Sequence, residues 1–249
     1  MILKNKLKQN VCLGAFLPFP SAEIVEILGY LKWDVVVIDL EHGGMTRSDL
    51  GHLIRAAESA GISTMVRVPE NNPKLILGAL DLGAEGIVVP MINSVEDAQL
   101  AISSLHYPPK GIRGFSQGRA GKYGIGVQTD EHVQNTENLV IALQVETKKA
   151  IDNVNEIAKV PGADIIFIGP SDLSASYNLI GKVKNQKFQK LIEETSKTIV
   201  SNKKIAGTFS NDLKLNKKYL SYGYTFLLTN VVPSIVAGFN QFKRSLNKH

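Results

Sequence analysis

Asp34-Val35-Val36-Val37-Ile38-Asp39-Leu40-Glu41-His42-Gly43-Gly44 is the stretch that decides the fold. Four β-branched residues follow one another without the polar alternation of a half-exposed strand. A continuous run of this kind suits a parallel strand covered on both faces. Ile165-Ile166-Phe167-Ile168 repeats the form inside Asp164–Gly169, and again the run ends in Gly and polar residues. Working outward from Asp34–Leu40, further β-rich runs stand at Val11–Leu17, Ser63–Val68, Gly86–Met91, Leu139–Glu146, Lys204–Phe209 and Tyr224–Asn230.

Helical spacing fills the intervals. Ile24, Ile27, Leu28 and Leu31 fall on one stripe, with Ser21 as the N-cap and Glu23 and Glu26 early in the helix. Ser48–Ala60, Pro73–Leu82, Ser94–Leu105, Ala150–Lys159, Gln186–Ser201, Asp212–Tyr222 and Pro233–Leu246 complete a set of eight. Eight strand–helix pairs in 249 residues predict an α/β protein, a single (β/α)8 TIM barrel spanning 1–249, rather than an open sheet. One connection is out of proportion: about 106–138, rich in Gly, is read as a lid or substrate-facing loop. The last predicted helix carries Ile235, Val236, Phe239 and Phe242 as an apolar stripe, suited to a contact within the subunit or between subunits.

Composition narrows the function classes. Hydrophobic residues make up 44% of the chain, enough for one large core, and 28 Lys+Arg against 23 Asp+Glu leave a net charge of +5. The excess lysines cluster in the first ten residues, in 182–190 and near Lys203 and Lys217, alternating with Asn and Gln as solvated faces do. No basic stripe carries interleaved aromatics, so nucleic acid is not an expected partner. No apolar run is long enough to cross a bilayer, and no apolar segment follows Met1-Ile2-Leu3-Lys4, so a cytoplasmic protein is expected. Cys12 is the single cysteine; it cannot form an internal disulfide and reads as a buried, inert thiol.

Barrel chemistry sits at the C-terminal ends of the strands, so unusual polar residues are expected to gather there. The second strand ends in Asp39-Leu40-Glu41-His42, the third in Arg67, the fifth in Gln144-Val145-Glu146-Thr147 and the sixth in Gly169-Pro170-Ser171-Asp172. Each has a plain structural reading: Asp39, Glu146 and Asp172 as helix caps, His42 as a loop residue, Arg67 as the partner of Glu41 or Asp39. Four independent strand ends placing ionisable groups around one opening argue for a functional site.

At these residues the chain resembles the HpcH/HpaI class II pyruvate aldolases, such as 2,4-dihydroxyhept-2-enedioate aldolase and 2-dehydro-3-deoxyglucarate aldolase. The resemblance runs through Asp39-Leu40-Glu41-His42-Gly43, Val66-Arg67-Val68-Pro69, Leu80-Asp81-Leu82-Gly83-Ala84, Val89-Pro90-Met91, Gly111-Ile112-Arg113-Gly114, Arg119-Ala120, Gln144-Val145-Glu146-Thr147 and Phe167–Ser174, in the family order. It implies a barrel of the phosphoenolpyruvate/pyruvate type and reversible cleavage of a 4-hydroxy-2-keto acid into pyruvate, or a related keto acid, and an aldehyde. It also implies one divalent ion (Mg²⁺ or Mn²⁺, with Co²⁺ as a substitute) on Glu146 and Asp172, an oxygen-rich set suited to such ions. Arg67, Gln144 and the backbone around Gly169, Pro170 and Ser171 would bind the keto acid. His42 would be the base, Asp39 would orient it, and Asp81 would act across a subunit interface in a homo-oligomer, generally a hexamer.

Departures touch the acceptor side and assembly more than the metal site. Many members carry an Asp shortly after the eighth strand, where this chain reads Leu228-Thr229-Asn230-Val231-Val232. Many also carry a Trp after the first strand's glycine, where Gly14-Ala15-Phe16 supplies a Phe. A Schiff-base aldolase is disfavoured because the strand interiors hold no lysine. Alternatives on the same fold are an oxaloacetate-type decarboxylase, a coenzyme A-ester lyase and a non-catalytic ligand-binding barrel.

Overall fold

Eight parallel strands, hydrogen-bonded in chain order, close into a barrel in the computed structural model, which describes residues 3–9 and 11–246. They are β1 (Cys12–Leu17), β2 (Val35–Asp39), β3 (Ser63–Arg67), β4 (Gly86–Val89), β5 (Val140–Val145), β6 (Ile165–Ile168), β7 (Ile205–Phe209) and β8 (Tyr224–Asn230). Every expected strand is present, most of them a residue or two shorter.

The pleat explains the continuous apolar runs. Alternate side chains leave a strand on opposite faces, and in a barrel both faces are buried. Val35, Val37, Met65, Val88, Val140, Ala142, Ile165, Phe167, Phe226 and Leu228 fill the lumen as one cluster. Val36, Ile38, Val66, Ile87, Val89, Ile141, Leu143, Ile166 and Ile168 face outward and meet the helices. The parity then dictates that Asp39, two residues beyond Val37, and Gln144, two beyond Ala142, return to the inner face at the strand ends.

The helices are α1 (Leu3–Gln9), α2 (Ala22–Tyr30), α3 (Arg47–Ala60), α4 (Pro73–Asp81), α5 (Val95–Ser103), α6 (Thr129–Gln134), α7 (Lys148–Asp152), α8 (Val154–Lys159), α9 (Pro170–Ser176), α10 (Gln186–Ser201), α11 (Leu213–Ser221) and α12 (Val231–Ser245). Ser21 caps α2 by accepting from the Ile24 N–H, as expected, and Thr46 with Asp49 forms a capping box on α3. The segment expected as one helix over 150–159 is two, α7 and α8, divided at Asn153. Helix α1 lies in the lysine-rich start of the chain; its Leu3 and Leu7 are buried against the lumen cluster, so it plugs the barrel at the end where the strands begin.

The long connection between α5 and β5 differs from its reading as a lid. It holds a 3-10 turn at Arg119–Gly124, helix α6 and a second turn at Asn135–Asn138. A link from a helix to the next strand emerges at the N-terminal end of the strands, opposite the strand ends that carry the polar residues. In this chain it walls a separate cavity of about 720 Å³ with Arg55, Glu58, Arg113, Arg119 and His132.

Candidate active site

Arg67 and Asp39 are direct partners in the β2–β3 register. The guanidinium grips the carboxylate with two bonds, Nε to Oδ1 at 2.9 Å and Nη2 to Oδ2 at 2.6 Å. Nη1 lies 3.2 Å from Glu41 Oε2, so both structural pairings open to Arg67 in the sequence are made. The ring of Phe16 lies against the guanidinium, 4.5 Å from ring centroid to Cζ, and stacks edge-on with Phe167 and Phe209. Of five N–H donors in the arginine, two go to Asp39 and a third faces Glu41, which leaves two for an anionic ligand.

Asp39 does not reach the imidazole of His42, as its expected orienting role required. Its Oδ1 accepts the backbone N–H groups of Glu41 (3.1 Å) and His42 (3.3 Å), folding the loop after β2 back over the strand end. The carboxylate beside the ring is that of Glu41, whose Oε2 stands 3.9 Å from His42 Nε2. Asp39 therefore acts on His42 through the backbone. The imidazole itself is 62% exposed at the mouth.

Glu146 follows β5 and is 2% exposed. Its Oε1 accepts the Met91 N–H at 2.8 Å, and its Oε2 accepts from Gln144 Nε2 in a short contact. Gly169 makes room for it: a Cβ there would stand 2.7 Å from Glu146 Oε2. Burial raises the Glu146 pKa, the bonds from Gln144 and Met91 oppose the rise, and the charges of Glu41 and Asp172 add to it. Glu41 is likewise pushed up, by burial first, against the pull of Arg67 and His42.

These groups line one cavity of about 190 Å³ at the C-terminal end of the barrel: Asp39, His42, Arg67, Gln144, Glu146, Gly169, Pro170, Ser171 and Asp172 all contribute. Asp172 is exposed, in the first turn of α9. The Gly169 N–H already goes to the Val145 carbonyl and Pro170 has none, so of the expected backbone donors only those of Ser171 and Asp172 remain. Asp81 lies elsewhere. It ends α4 and accepts from Arg113 Nη2 at 3.0 Å, and Arg113 in turn stacks on Tyr107.

Sequence reasoning passed over Pro18, Phe167 and Phe209 as lining residues and reached Phe16 and Asn230 only as departures from the family. Strand parity is the signal that finds Phe16 and Phe167, each an inward position near a strand end. The Met91 N–H had no such signal.

The donor set fits a hard divalent cation. Asp39, Glu41, Glu146 and Asp172 bring four carboxylates to the site, and the one guanidinium among the lining residues is engaged by two of them. The buried Oε1 of Gln144 and Oε2 of Glu41 accept no hydrogen bond. Among the described residues no three His, Cys, Asp or Glu side chains converge as a complete ligand set. A cation held by Glu146 and Asp172 would thus take the rest of its shell from water and substrate.

The model of the HpcH/HpaI aldolase/citrate lyase family matches residues 13–230. The chain belongs to that family. It is 37% identical over 223 residues to 2-dehydro-3,6-dideoxy-6-sulfogluconate aldolase of Pseudomonas putida, covering 88% of this chain and 86% of that protein. It is 36% identical over 222 residues to 4-hydroxy-2-oxovalerate aldolase of Novosphingobium aromaticivorans, covering 89% and 84%. A crystal structure of an HpcH/HpaI aldolase from Desulfitobacterium hafniense superposes with a TM-score of 0.93 at 27% identity, covering 100% of this chain and 98% of that one. The family is one of carbon–carbon lyases, so the expected class of enzyme and the expected barrel both hold.

Proposed function

We propose that this chain reversibly cleaves a 4-hydroxy-2-keto acid into pyruvate, or a closely related 2-keto acid, and an aldehyde. The observation that carries the reading is the single cavity shared by Glu146, Asp172, Arg67 and His42 at the strand ends. Glu146 and Asp172 would hold one divalent ion, Mg²⁺, Mn²⁺ or Co²⁺, which when bound supplies Lewis-acid stabilisation of the charge that develops on the keto oxygen.

The chain's own residues do the rest. The two uncommitted N–H groups of Arg67 face the keto acid, and their preset geometry favours the more negative enolate over the ground state. Gln144 keeps the Glu146 carboxylate turned toward the cavity, and the Ser171 and Asp172 N–H groups are aimed at the substrate carboxylate. Phe16, Phe167 and Phe209 wall the inner side and keep water from the C3 carbon. His42, at the mouth, takes the proton of the C4 hydroxyl as the C3–C4 bond breaks. Its place at the opening leaves the aldehyde half toward solvent.

Asp81 would serve the site of a neighbouring copy, with its pairing to Arg113 holding it at the surface where copies meet. Assembly into a homo-oligomer, a hexamer by likeness to the family, is supported by Ile235, Val236, Phe239 and Phe242, exposed together on α12. No described helix is long and apolar enough to cross a membrane, which accords with the cytoplasmic placement we propose.

Two variants test the assignment. Glu146→Ala is expected to lose both Mn²⁺ binding and cleavage, whereas His42→Ala keeps Mn²⁺ binding and loses cleavage. Wild-type Mn²⁺ affinity in Glu146→Ala contradicts the ligand role, and wild-type turnover in His42→Ala contradicts the base.

A further inference from the structure

The turn after β4 is built in an unusual way. Strand β4 pairs with β5 through Val88 with Ala142 and Val89 with Leu143, then breaks off. Contact resumes when the Ile92 N–H donates to the Gln144 carbonyl at 3.0 Å. Continued in register, the ladder would have the Met91 N–H meet that carbonyl, so Pro90–Met91 holds one extra residue, a bulge of the kind that re-aims groups beside active sites. Pro90 has no N–H to give. Met91 sits at φ 56°, in the left-handed region that a side chain of its size seldom occupies. Its own side chain is exposed. What the strained backbone delivers is one N–H, donated to Glu146 Oε1 at 2.8 Å.

Asn93 holds that turn in place, and each of its polar groups is used. Nδ2 donates to the Met91 carbonyl at 2.8 Å. Oδ1 accepts the hydroxyl of Thr147, the residue next to Glu146, in a short contact. The backbone carbonyl accepts from Asn153 Nδ2 at 2.8 Å, and the N–H donates to Asp97 Oδ2 at 2.9 Å. One side chain therefore ties together the residue that donates to Glu146 and the residue that follows it.

We infer that Asn93 is a positioning residue for Glu146: through Met91 on one side and Thr147 on the other, it fixes the direction in which the carboxylate meets a divalent cation. The inference rests on the metal-ligand role proposed for Glu146. Outer partners of this kind commonly change metal affinity by about 10- to 100-fold when removed.

The test is the dissociation constant for Mn²⁺, read from the EPR signal of free Mn²⁺, together with a melting curve by circular dichroism. Asn93→Ala is expected to raise the constant by roughly tenfold or more. The Met91 position keeps the inference testable if Asn93→Ala folds poorly, because its side chain is exposed. Met91→Gly accepts a positive φ and is expected to bind Mn²⁺ like wild type. Met91→Val is β-branched, resists that φ and is expected to bind several-fold more weakly, by about the same physics. Wild-type affinity in both folded Asn93→Ala and Met91→Val overturns the inference. Glu146→Ala, measured alongside, separates the two failures. If it too binds like wild type, the ligand role falls; if it alone loses binding, only the role of Asn93 falls.

Discussion

Asp39 and Arg67 face each other across neighbouring parallel strands and share two hydrogen bonds in the barrel lumen, with side chains 2% and 11% exposed. The pair does two things at once. It orients the guanidinium, and through Oδ1 it bends the chain at Glu41 and His42.

Removing one member of a buried pair strands the other. Asp39→Asn places an amide where Arg67 needs two acceptors, and is expected to cost about 3 kcal/mol of stability. It also loosens the His42 loop, so turnover is expected to fall more steeply than keto-acid binding. Urea unfolding and steady-state kinetics check the two effects separately. A variant as stable as wild type would show that Glu41 alone suffices as the counter-ion.

Gly169 has no room for a Cβ, which would meet Glu146 Oε2 at 2.7 Å and Gln144 Nε2 at 3.4 Å. Gly169→Ala must displace the carboxylate. Mn²⁺ affinity is expected to drop by about tenfold or more, with a stability loss on the order of 1–3 kcal/mol. Titration calorimetry with Mn²⁺ on the folded variant decides it; unchanged affinity would mean that Glu146 is not held against this strand end.

Cys12 is buried, and burial pushes its thiol up to about 12 from 9.0, with the Asp34 charge adding and Lys6 opposing. The folded value lies above the unfolded one, so the contribution is whole below pH 9 and is lost as pH rises toward 12. The stability margin of wild type over Cys12→Ala is therefore expected to shrink above pH 9, by at most about 1.4 kcal/mol per pH unit. Denaturation of both proteins at pH 8, 9.5 and 10.5 measures it. A constant margin would contradict the burial of the thiol.

Helix α12 presents Phe239 and Phe242 to solvent beside Ile235 and Val236. Replacing both phenylalanines with aspartate is expected to convert an oligomer to smaller species in sedimentation velocity while leaving the circular dichroism of the barrel intact. A wild-type protein that sediments as a monomer would remove the need for a covering subunit.

Much of this was legible in the sequence because a parallel barrel leaves a strong imprint. Runs such as Val35–Ile38 can be buried on both faces only if helices cover one side and a lumen the other. The polar residues breaking the strand ends then mark the mouth, as Asp39, Arg67, Gln144 and Glu146 did. What escaped has physical reasons. Helix α1 offers only Leu3 and Leu7 as apolar anchors among lysines, too short a pattern to separate from a solvated tail. The 106–138 segment shows its length and glycines but not the end of the barrel it decorates, which follows from connectivity rather than composition. Glu41 was legible as one of two possible partners of Arg67, but only the fold of the loop lets it face Arg67 together with Asp39 and stand beside the His42 ring. Met91 acts through its backbone N–H at a strained φ, and the Asn93 amide through partners that only the fold brings to it, which no sequence pattern records.

Enolate formation is the central claim, and it can be measured without knowing the aldehyde. Pyruvate is incubated with the protein in D₂O, with Mg²⁺, Mn²⁺ or Co²⁺ or with EDTA, and exchange of its methyl protons is followed by NMR. Exchange that requires the metal, stops with EDTA and is lost in Glu146→Ala is the expected result. No exchange with any of the three metals, in folded protein that binds Mn²⁺, would contradict a pyruvate-type enolate at this site.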